Sequence, residues 1–286
     1  MTGAPGPRSW AGLSLDRPRI MAVLNVTPDS FSDGGRFLDP GVAIDAGLAM
    51  FADGADIVDV GGESTRPRSA PTPPDVEQAR ILPVIRSLAA SGVRVSVDTR
   101  YASTMEAALD AGASVINDIS GLTYDARAAS VLASHGCAVV LMHMRGEPAD
   151  MHTHAHYADV GAAVCHELAD RASRAQVSGV DRKNIALDPG IGFAKTPRQS
   201  MELLRRLPEL VALGYPVAVG VSRKSFLAAV NGETDPGRRL PGSLAAGLFA
   251  LSRGAAMLRG HDVQETVRAL KVWSTLACGS DIFLPK

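Results

Sequence analysis

The run Asn25-Val26-Thr27-Pro28-Asp29-Ser30-Phe31-Ser32-Asp33-Gly34-Gly35 follows directly on the apolar stretch Ile20 to Leu24. Pro28, Gly34 and Gly35 rule out a continuing strand, while Asn25, Asp29 and Asp33 supply oxygens able to face a cation, a phosphate ester or a reacting carbon. Further along, Asp98, Asn117 and Asp188 each stand at the end of a short apolar run, three acceptor-bearing side chains of which one is an amide. Such a cluster suits a donor-rich heterocycle: a carboxylate accepts two parallel N–H bonds from an amino-pyrimidinone edge, and Lys224 can donate to the ring carbonyl opposite. Metal ligation is the competing reading, although no histidine stands at a ligand spacing beside the two aspartates. Arg259 and His261 flank the start of the last helical segment, whose free backbone N–H groups and dipole favour an anion, so a phosphate or pyrophosphate site is predicted there. Asn25 could complete that site directly or by holding Mg2+, a cation that keeps waters and takes few protein ligands.

Other motifs carry less. Gly190-Ile191-Gly192-Phe193-Ala194-Lys195 starts like a dinucleotide fingerprint but lacks the third glycine and does not open a βαβ unit. His152, His154 and His156 alternate in a segment that reads as a solvated loop. Ser222 and Lys224 resemble part of a Ser-Lys nucleophile pair, yet the spacing is not SxxK and no oxyanion loop accompanies it.

Positioning these residues needs a scaffold. Eight short apolar runs recur at fairly even spacing, at Ile20 to Leu24, Ile57 to Val60, Val93 to Val97, Ser114 to Ile116, Ala138 to Met142, Ile185 to Leu187, Val217 to Val219 and Ala256 to Leu258. Most are too short for helices and lack simple alternation, which is how parallel strands buried on both faces read. Helical segments lie between them, many ending at a glycine such as Gly54, Gly112 or Gly254. Eight strand-helix units predict an α/β protein with one (β/α)8 TIM barrel, with an open doubly wound sheet as the alternative. The barrel is expected over residues 19–280, preceded by a flexible N-terminal extension over 1–18 that is rich in Gly, Pro and Arg. Active sites of such barrels lie where the strands end and the βα loops begin. All the candidate residues named above fall at such ends.

The 286-residue chain carries a formal charge of -1, with 46% hydrophobic and 21% charged residues. That balance gives no global attraction to nucleic acid or to acidic membranes. No run reaches about 18 uninterrupted apolar residues, so no membrane span is expected. Cys137, Cys165 and Cys278 are odd in number and widely spaced, which argues against a disulfide framework or structural zinc and for a reducing cytoplasm.

Taken together the motifs resemble the dihydropteroate synthase family of folate biosynthesis. The similar segments appear in order: NVTPDSFSDGG at Asn25 to Gly35, DVGGESTRP at Asp59 to Pro67, SVDT at Ser96 to Thr99, NDI at Asn117 to Ile119, LMHMRG at Leu141 to Gly146, LDPGIGFAK at Leu187 to Lys195, SRKS at Ser222 to Ser225, GSLAA at Gly242 to Ala246, and R-x-HDV at Arg259 to Val263. The resemblance implies a barrel that joins 6-hydroxymethyl-7,8-dihydropterin diphosphate to 4-aminobenzoate, giving 7,8-dihydropteroate and pyrophosphate with Mg2+ assistance. It further implies that Asp98, Asn117, Met142, Asp188, Lys224 and Arg259 hold the pterin, and that Asn25, Arg259 and His261 hold the pyrophosphate, with Asn25 as the metal contact. Phe31, Thr65, Pro67, Gly192, Phe193, Lys224 and Ser225 would shape the aminobenzoate pocket. Asp33, Arg66 and Lys224 would be catalytic, the first two on mobile loops, and a homodimer packed through barrel helices is implied. Two positions depart from the family pattern: Arg68 stands where glycine is expected, and Gly260 replaces a valine-like residue, which is expected to loosen the last strand end. A pterin-dependent methyltransferase domain and a non-catalytic pterin-binding paralogue are the alternatives, but neither has use for Phe31 and the Thr65-Arg66-Pro67 segment.

Overall fold

The structure is a computed structural model and describes residues 7, 9–27, 39–65 and 69–278. Eight parallel strands form the sheet: β1 Arg19–Asn25, β2 Ile57–Gly61, β3 Val95–Asp98, β4 Val115–Asp118, β5 Ala138–Met142, β6 Ile185–Asp188, β7 Ala218–Gly220 and β8 Met257–Gly260. Each pairs with its sequence neighbour, and β8 returns to β1 with Leu258 opposite Ile20. A parallel bridge between Leu187 and Val217, with Leu187 N–H donating to Pro216 O at 2.9 Å, joins β6 to β7 and closes the barrel. All eight runs read from the sequence are strands, each within two residues of the expected ends.

The apolar runs conceal an alternation that decides what the barrel can do. Outward-facing residues such as Ala22, Leu24, Val58, Val60, Val95, Val97, Val139 and Leu141 pack with the surrounding helices in one large core. Their neighbours face in, where Met21, Ile57, Val115, Ala138, Val140, Ala186, Ala218 and Met257 form a smaller apolar cluster. Because side chains alternate along a strand, the next inward positions toward the C-terminal ends are Asn25, Asp59, Asp98, Asn117, Met142, Asp188 and Arg259. The lower half of the barrel is therefore filled with hydrocarbon and the upper half with polar groups.

The helices form an outer layer: α1 Pro40–Ala52, α2 Pro74–Ala90, α3 Ala102–Asp110, α4 Ala128–His135, α5 Val160–Val177, α6 Pro197–Arg205, α7 Leu207–Val211, α8 Leu240–Ser252 and α9 Val263–Cys278. The helical segment between β6 and β7 is split in two, because Pro208 cannot donate an intrahelical bond and stands in the first turn of a new helix. Start signals behave as the local chemistry requires. Asp39 accepts from Gly41 N–H at 2.8 Å, and Thr196 with Gln199 forms a reciprocal capping box.

Within the expected flexible extension, residues 9–14 form a hairpin. Ser9–Trp10 pairs antiparallel with Leu13–Ser14, and Trp10, only 2% exposed, joins the apolar cluster inside the barrel. Its Nε1–H donates to Asn184 O at 2.9 Å. This hairpin covers the N-terminal end of the barrel. A large aromatic recovers more burial there than the surrounding Gly and Pro cost in order, a balance that composition alone does not reveal.

Candidate active site

The polar upper layer is organised around one cation. Arg259, from β8, donates through Nε to Asp59 Oδ2 at 2.6 Å and through Nη2 to Asp98 Oδ2 at 2.7 Å. Asn117 Nδ2 donates to the same Asp59 oxygen at 3.0 Å. Asp59 is fully buried and Asp98 nearly so, and the second oxygen of each carboxylate accepts no bond. Burial raises the Asp98 carboxyl to about 7; Arg259 opposes the rise and the neighbouring Asp59 adds to it. Buried acceptors left without a partner are costly unless a donor meets them. A ligand edge carrying N–H groups would supply such a donor to Asp98, the outer of the two.

Across the mouth, Asp188 ends β6. Its Oδ1 accepts from Gly190 N–H at 2.7 Å, and burial raises its pKa while Lys224 opposes that rise. Lys224 Nζ donates to Ile191 O and lies 4.6 Å from the centre of the Phe193 ring. Burial lowers the lysine to about 8, with Asp188 working against the shift and Arg259 with it. Gly192, at φ +82, runs against the Lys224 stem: a Cβ there would stand 3.4 Å from Lys224 Cδ. Met142 is buried among Ile119, Met144, Met151, Ala194 and Phe193, an apolar wall beside the carboxylates. The mouth thus offers acceptors below, an ammonium at the side and hydrocarbon opposite. That arrangement recognises a flat, donor-rich ring.

The third part lies between β7 and β8. His261 Nδ1 is 3.0 Å from Ser222 Oγ, which also accepts from His261 N–H at 3.2 Å. Arg223 makes a bidentate pair with Asp262, its Nε at 3.1 Å, while holding the left-handed φ of +59. Arg223 N–H donates to Ser243 Oγ at 2.9 Å and its carbonyl accepts from Arg239. These bonds hold a backbone conformation that a residue with a Cβ adopts reluctantly, and so fix the direction of Lys224 next to it. Replacing Ser243 with Ala is expected to lower the unfolding free energy by about 1–2 kcal/mol, because a half-buried N–H is left without a partner. Urea denaturation measures that loss directly.

Most of the residues expected from the sequence converge here, with differences. Asn25 ends β1, and a Cβ on Gly61 would stand 3.7 Å from its Oδ1 and 3.5 Å from Asp98 Cβ, so the amide borders the carboxylate cluster. Arg259, expected at the anion site, turns its guanidinium into the barrel because two buried carboxylates need a counter-charge. Gly260 does not loosen the strand: it stays in the ladder opposite Ala22, and a Cβ would stand 3.2 Å from Ser222 Cβ. Thr65 is half-buried and Ser225 exposed. The loop that carries Thr65 is tied at its ends, since Glu63 accepts from Thr72 N–H at 2.9 Å and from Arg100 in a two-point pair. Phe31, Asp33, Arg66, Pro67 and Arg68 lie outside the described residues. Among the described residues no three or more His, Cys, Asp or Glu side chains come together as a set that could hold a metal.

Asp59 received no role from the sequence. Its signal was a lone carboxylate inside the run Ile57-Val58-Asp59-Val60, at an inward position of a buried strand, where an unpaired charge is not tolerated.

Comparison with known proteins agrees with this geometry. Residues 21–261 match the pterin binding enzyme family. The chain is 48% identical over 267 residues to dihydropteroate synthase of Mycobacterium leprae, covering 91% of this chain and 94% of that one. It superposes on the Xanthomonas albilineans dihydropteroate synthase bound to 4-aminobenzoic acid with a TM-score of 0.88 at 44% identity, covering 95% of this chain and 98% of that chain. The same enzyme in complex with 7,8-dihydropteroate gives a TM-score of 0.84 at 42% identity, over 92% and 95% of the two chains.

Proposed function

The chain belongs to the pterin binding enzyme family, and from that premise we propose that its barrel mouth carries out the dihydropteroate synthase reaction. It joins 6-hydroxymethyl-7,8-dihydropterin diphosphate to 4-aminobenzoate and releases pyrophosphate. The observation that carries this reading is the cluster of buried Asp98, Asn117 and Asp188 at the strand ends, with the Lys224 ammonium among them and one oxygen of Asp98 left without a partner. A ligand with N–H donors and a carbonyl acceptor matches this set, and a pterin ring has both.

In this reading Asp98, Asn117 and Asp188 hold the ring edge, Lys224 donates to the ring carbonyl, and Met142 packs on the ring. Asn25 and His261 receive the pyrophosphate, His261 being steadied for that by Ser222, and Arg259 joins them by exchanging one of its bonds to Asp59 and Asp98 once the ring is bound. Gly192, Phe193 and Ser225, with Thr65 from the opposite loop, shape the side on which 4-aminobenzoate arrives; Phe31 and Pro67 belong there by resemblance. The electron-rich ring can spread the positive charge that develops as the carbon–oxygen bond breaks. By resemblance Asp33 stabilises that charge, and Arg66 is the second catalytic group of the two loops. The aromatic amine is nucleophilic when neutral, so no strong general base is required, and positioning and fixed charge account for the acceleration.

The residues present fit a Mg2+ ion in a limited way. Asn25 offers one amide oxygen at the rim, and Mg2+ is commonly held by few protein groups when phosphate oxygens and water complete its shell. When bound, the ion would neutralise charge on the departing pyrophosphate. A homodimer packed through barrel helices is part of this reading by resemblance, and Phe249, Val272 and Leu276, exposed on α8 and α9, are apolar residues that such packing could cover. The unpaired Cys137 and Cys165 are consistent with a reducing cytoplasm, and no described helix is long and apolar enough to cross a membrane.

Titration of the pterin diphosphate across pH tests the proposal. Asp98 must be ionised to accept from the ring, and its pKa lies at about 7; Lys224 must be protonated to donate, and its pKa lies at about 8. Affinity should therefore rise as pH climbs through the first value and fall as it climbs through the second. A flat profile, or no binding, would contradict the assignment.

A further inference from the structure

We propose that Lys195 is a positioning residue of the reaction, holding the loop between β6 and α6 in the shape that presents Phe193 to 4-aminobenzoate. The inference rests on the synthase reading above. Lys195 is 8% exposed, and its Nζ reaches Phe193 O at 2.9 Å, Gly190 O at 3.1 Å, His143 O at 3.3 Å and His143 Nδ1 at 2.9 Å. The carbonyls on either side of Ile191 and Gly192 therefore point at one buried amine. Of the two carbonyls between them, that of Ile191 is taken by Lys224. Two lysines, one on each side, orient the turn.

The backbone makes this turn sensitive to its support. Gly190 stands at φ +65 so close to β5 that a Cβ would fall 1.9 Å from His143 O. Phe193 N–H donates to Gly190 O at 3.0 Å and Gly192 N–H to Ser200 Oγ at 3.2 Å. An ammonium has three N–H groups, and the three shorter contacts, to Phe193 O, His143 Nδ1 and Gly190 O, can take them; without it Phe193 O loses its buried donor and the turn is free to rotate that carbonyl toward water. Phe193 would then leave its place over Lys224.

A relay extends the support to the surface. His143 is fully buried, with Nε2 at 3.0 Å from Glu167 Oε2 on α5, and Glu167 is also paired with Arg145. Burial lowers His143 to about 4, while its bond with Glu167 works the other way, so the ring is neutral. The His143 and Arg145 bonds hold Glu167 at about 2, ionised. With the single ring proton on Nε2 facing Glu167, Nδ1 is left to accept from Lys195. Glu167 thus fixes the tautomer that Lys195 needs.

The test uses the full chain with both substrates. Lys195→Met is expected to raise KM for 4-aminobenzoate at least about tenfold, with affinity for the pterin diphosphate changed by less than about threefold, the scale for misplacing a substrate-positioning group. Glu167→Ala, which frees the imidazole to change tautomer, should raise the same KM by about threefold, and Glu167→Gln, which still offers an oxygen to Nε2–H, should restore most of it. An unchanged KM in Lys195→Met, or equal losses for both substrates, would overturn the inference. If Lys195→Met does not fold, the Glu167 pair decides: identical behaviour of its Ala and Gln variants overturns it. A wild-type chain that makes no dihydropteroate would sink the underlying reading, which is a separate outcome.

Discussion

Arg259→Met is expected to reduce kcat/KM for the pterin diphosphate by about a thousandfold, roughly 4 kcal/mol of transition-state stabilisation. The guanidinium has two duties. In the structure it is the cation that pairs Asp59 at 2.6 Å and Asp98 at 2.7 Å. Removing one partner of a buried pair is worth about 3–5 kcal/mol, because the remaining charge has nowhere to go. Asp98, already raised to about 7 by burial, would stay protonated at neutral pH and present a donor where the ring needs an acceptor. The second duty is at the leaving group, where loss of the cation leaves the departing pyrophosphate less stabilised. A methionine fills similar volume, so the defect should show in kinetics at normal secondary structure. Steady-state assays would check it, and a loss of less than about tenfold would mean that Arg259 is only structural.

Asp188→Asn is expected to weaken pterin binding by about 1.5–3 kcal/mol, roughly ten- to a hundredfold, the range for hydrogen bonds to a charged group. The amide can still accept from Gly190 N–H, a bond of 2.7 Å in the native protein, so the turn should survive. The paired acceptor oxygens that read two parallel N–H groups are lost. Lys224 provides a second readout. Asp188 is the neighbour that holds the lysine pKa up against burial, so in the variant the alkaline limb of the pH profile should move below about 8. Calorimetric titration at several pH values measures both effects. Unchanged affinity would place the pterin elsewhere.

What the sequence disclosed and what it hid have physical reasons. The eight strands were legible because each is a short apolar run buried on both faces. Asp98, Asn117, Asp188 and Lys224 were legible because a barrel collects its strand ends in one place. Asp59 was not, since its importance depends on the partner that meets it, Arg259, which is 200 residues away in the chain. Lys195 was passed over inside a discarded nucleotide-like motif: its amine binds backbone carbonyls, and no side-chain pattern announces that. The Trp10 hairpin was hidden by its Gly- and Pro-rich surroundings. The direction of the Arg259 side chain was also beyond the sequence, because two equally plausible anions, a carboxylate pair and a pyrophosphate, compete for it.

The most direct test of the central claim is an end-point analysis of the purified protein with Mg2+, 6-hydroxymethyl-7,8-dihydropterin diphosphate and 4-aminobenzoate. The account predicts dihydropteroate and pyrophosphate in equal amounts, with no pyrophosphate released when 4-aminobenzoate is left out. Tight pterin binding without dihydropteroate would contradict it.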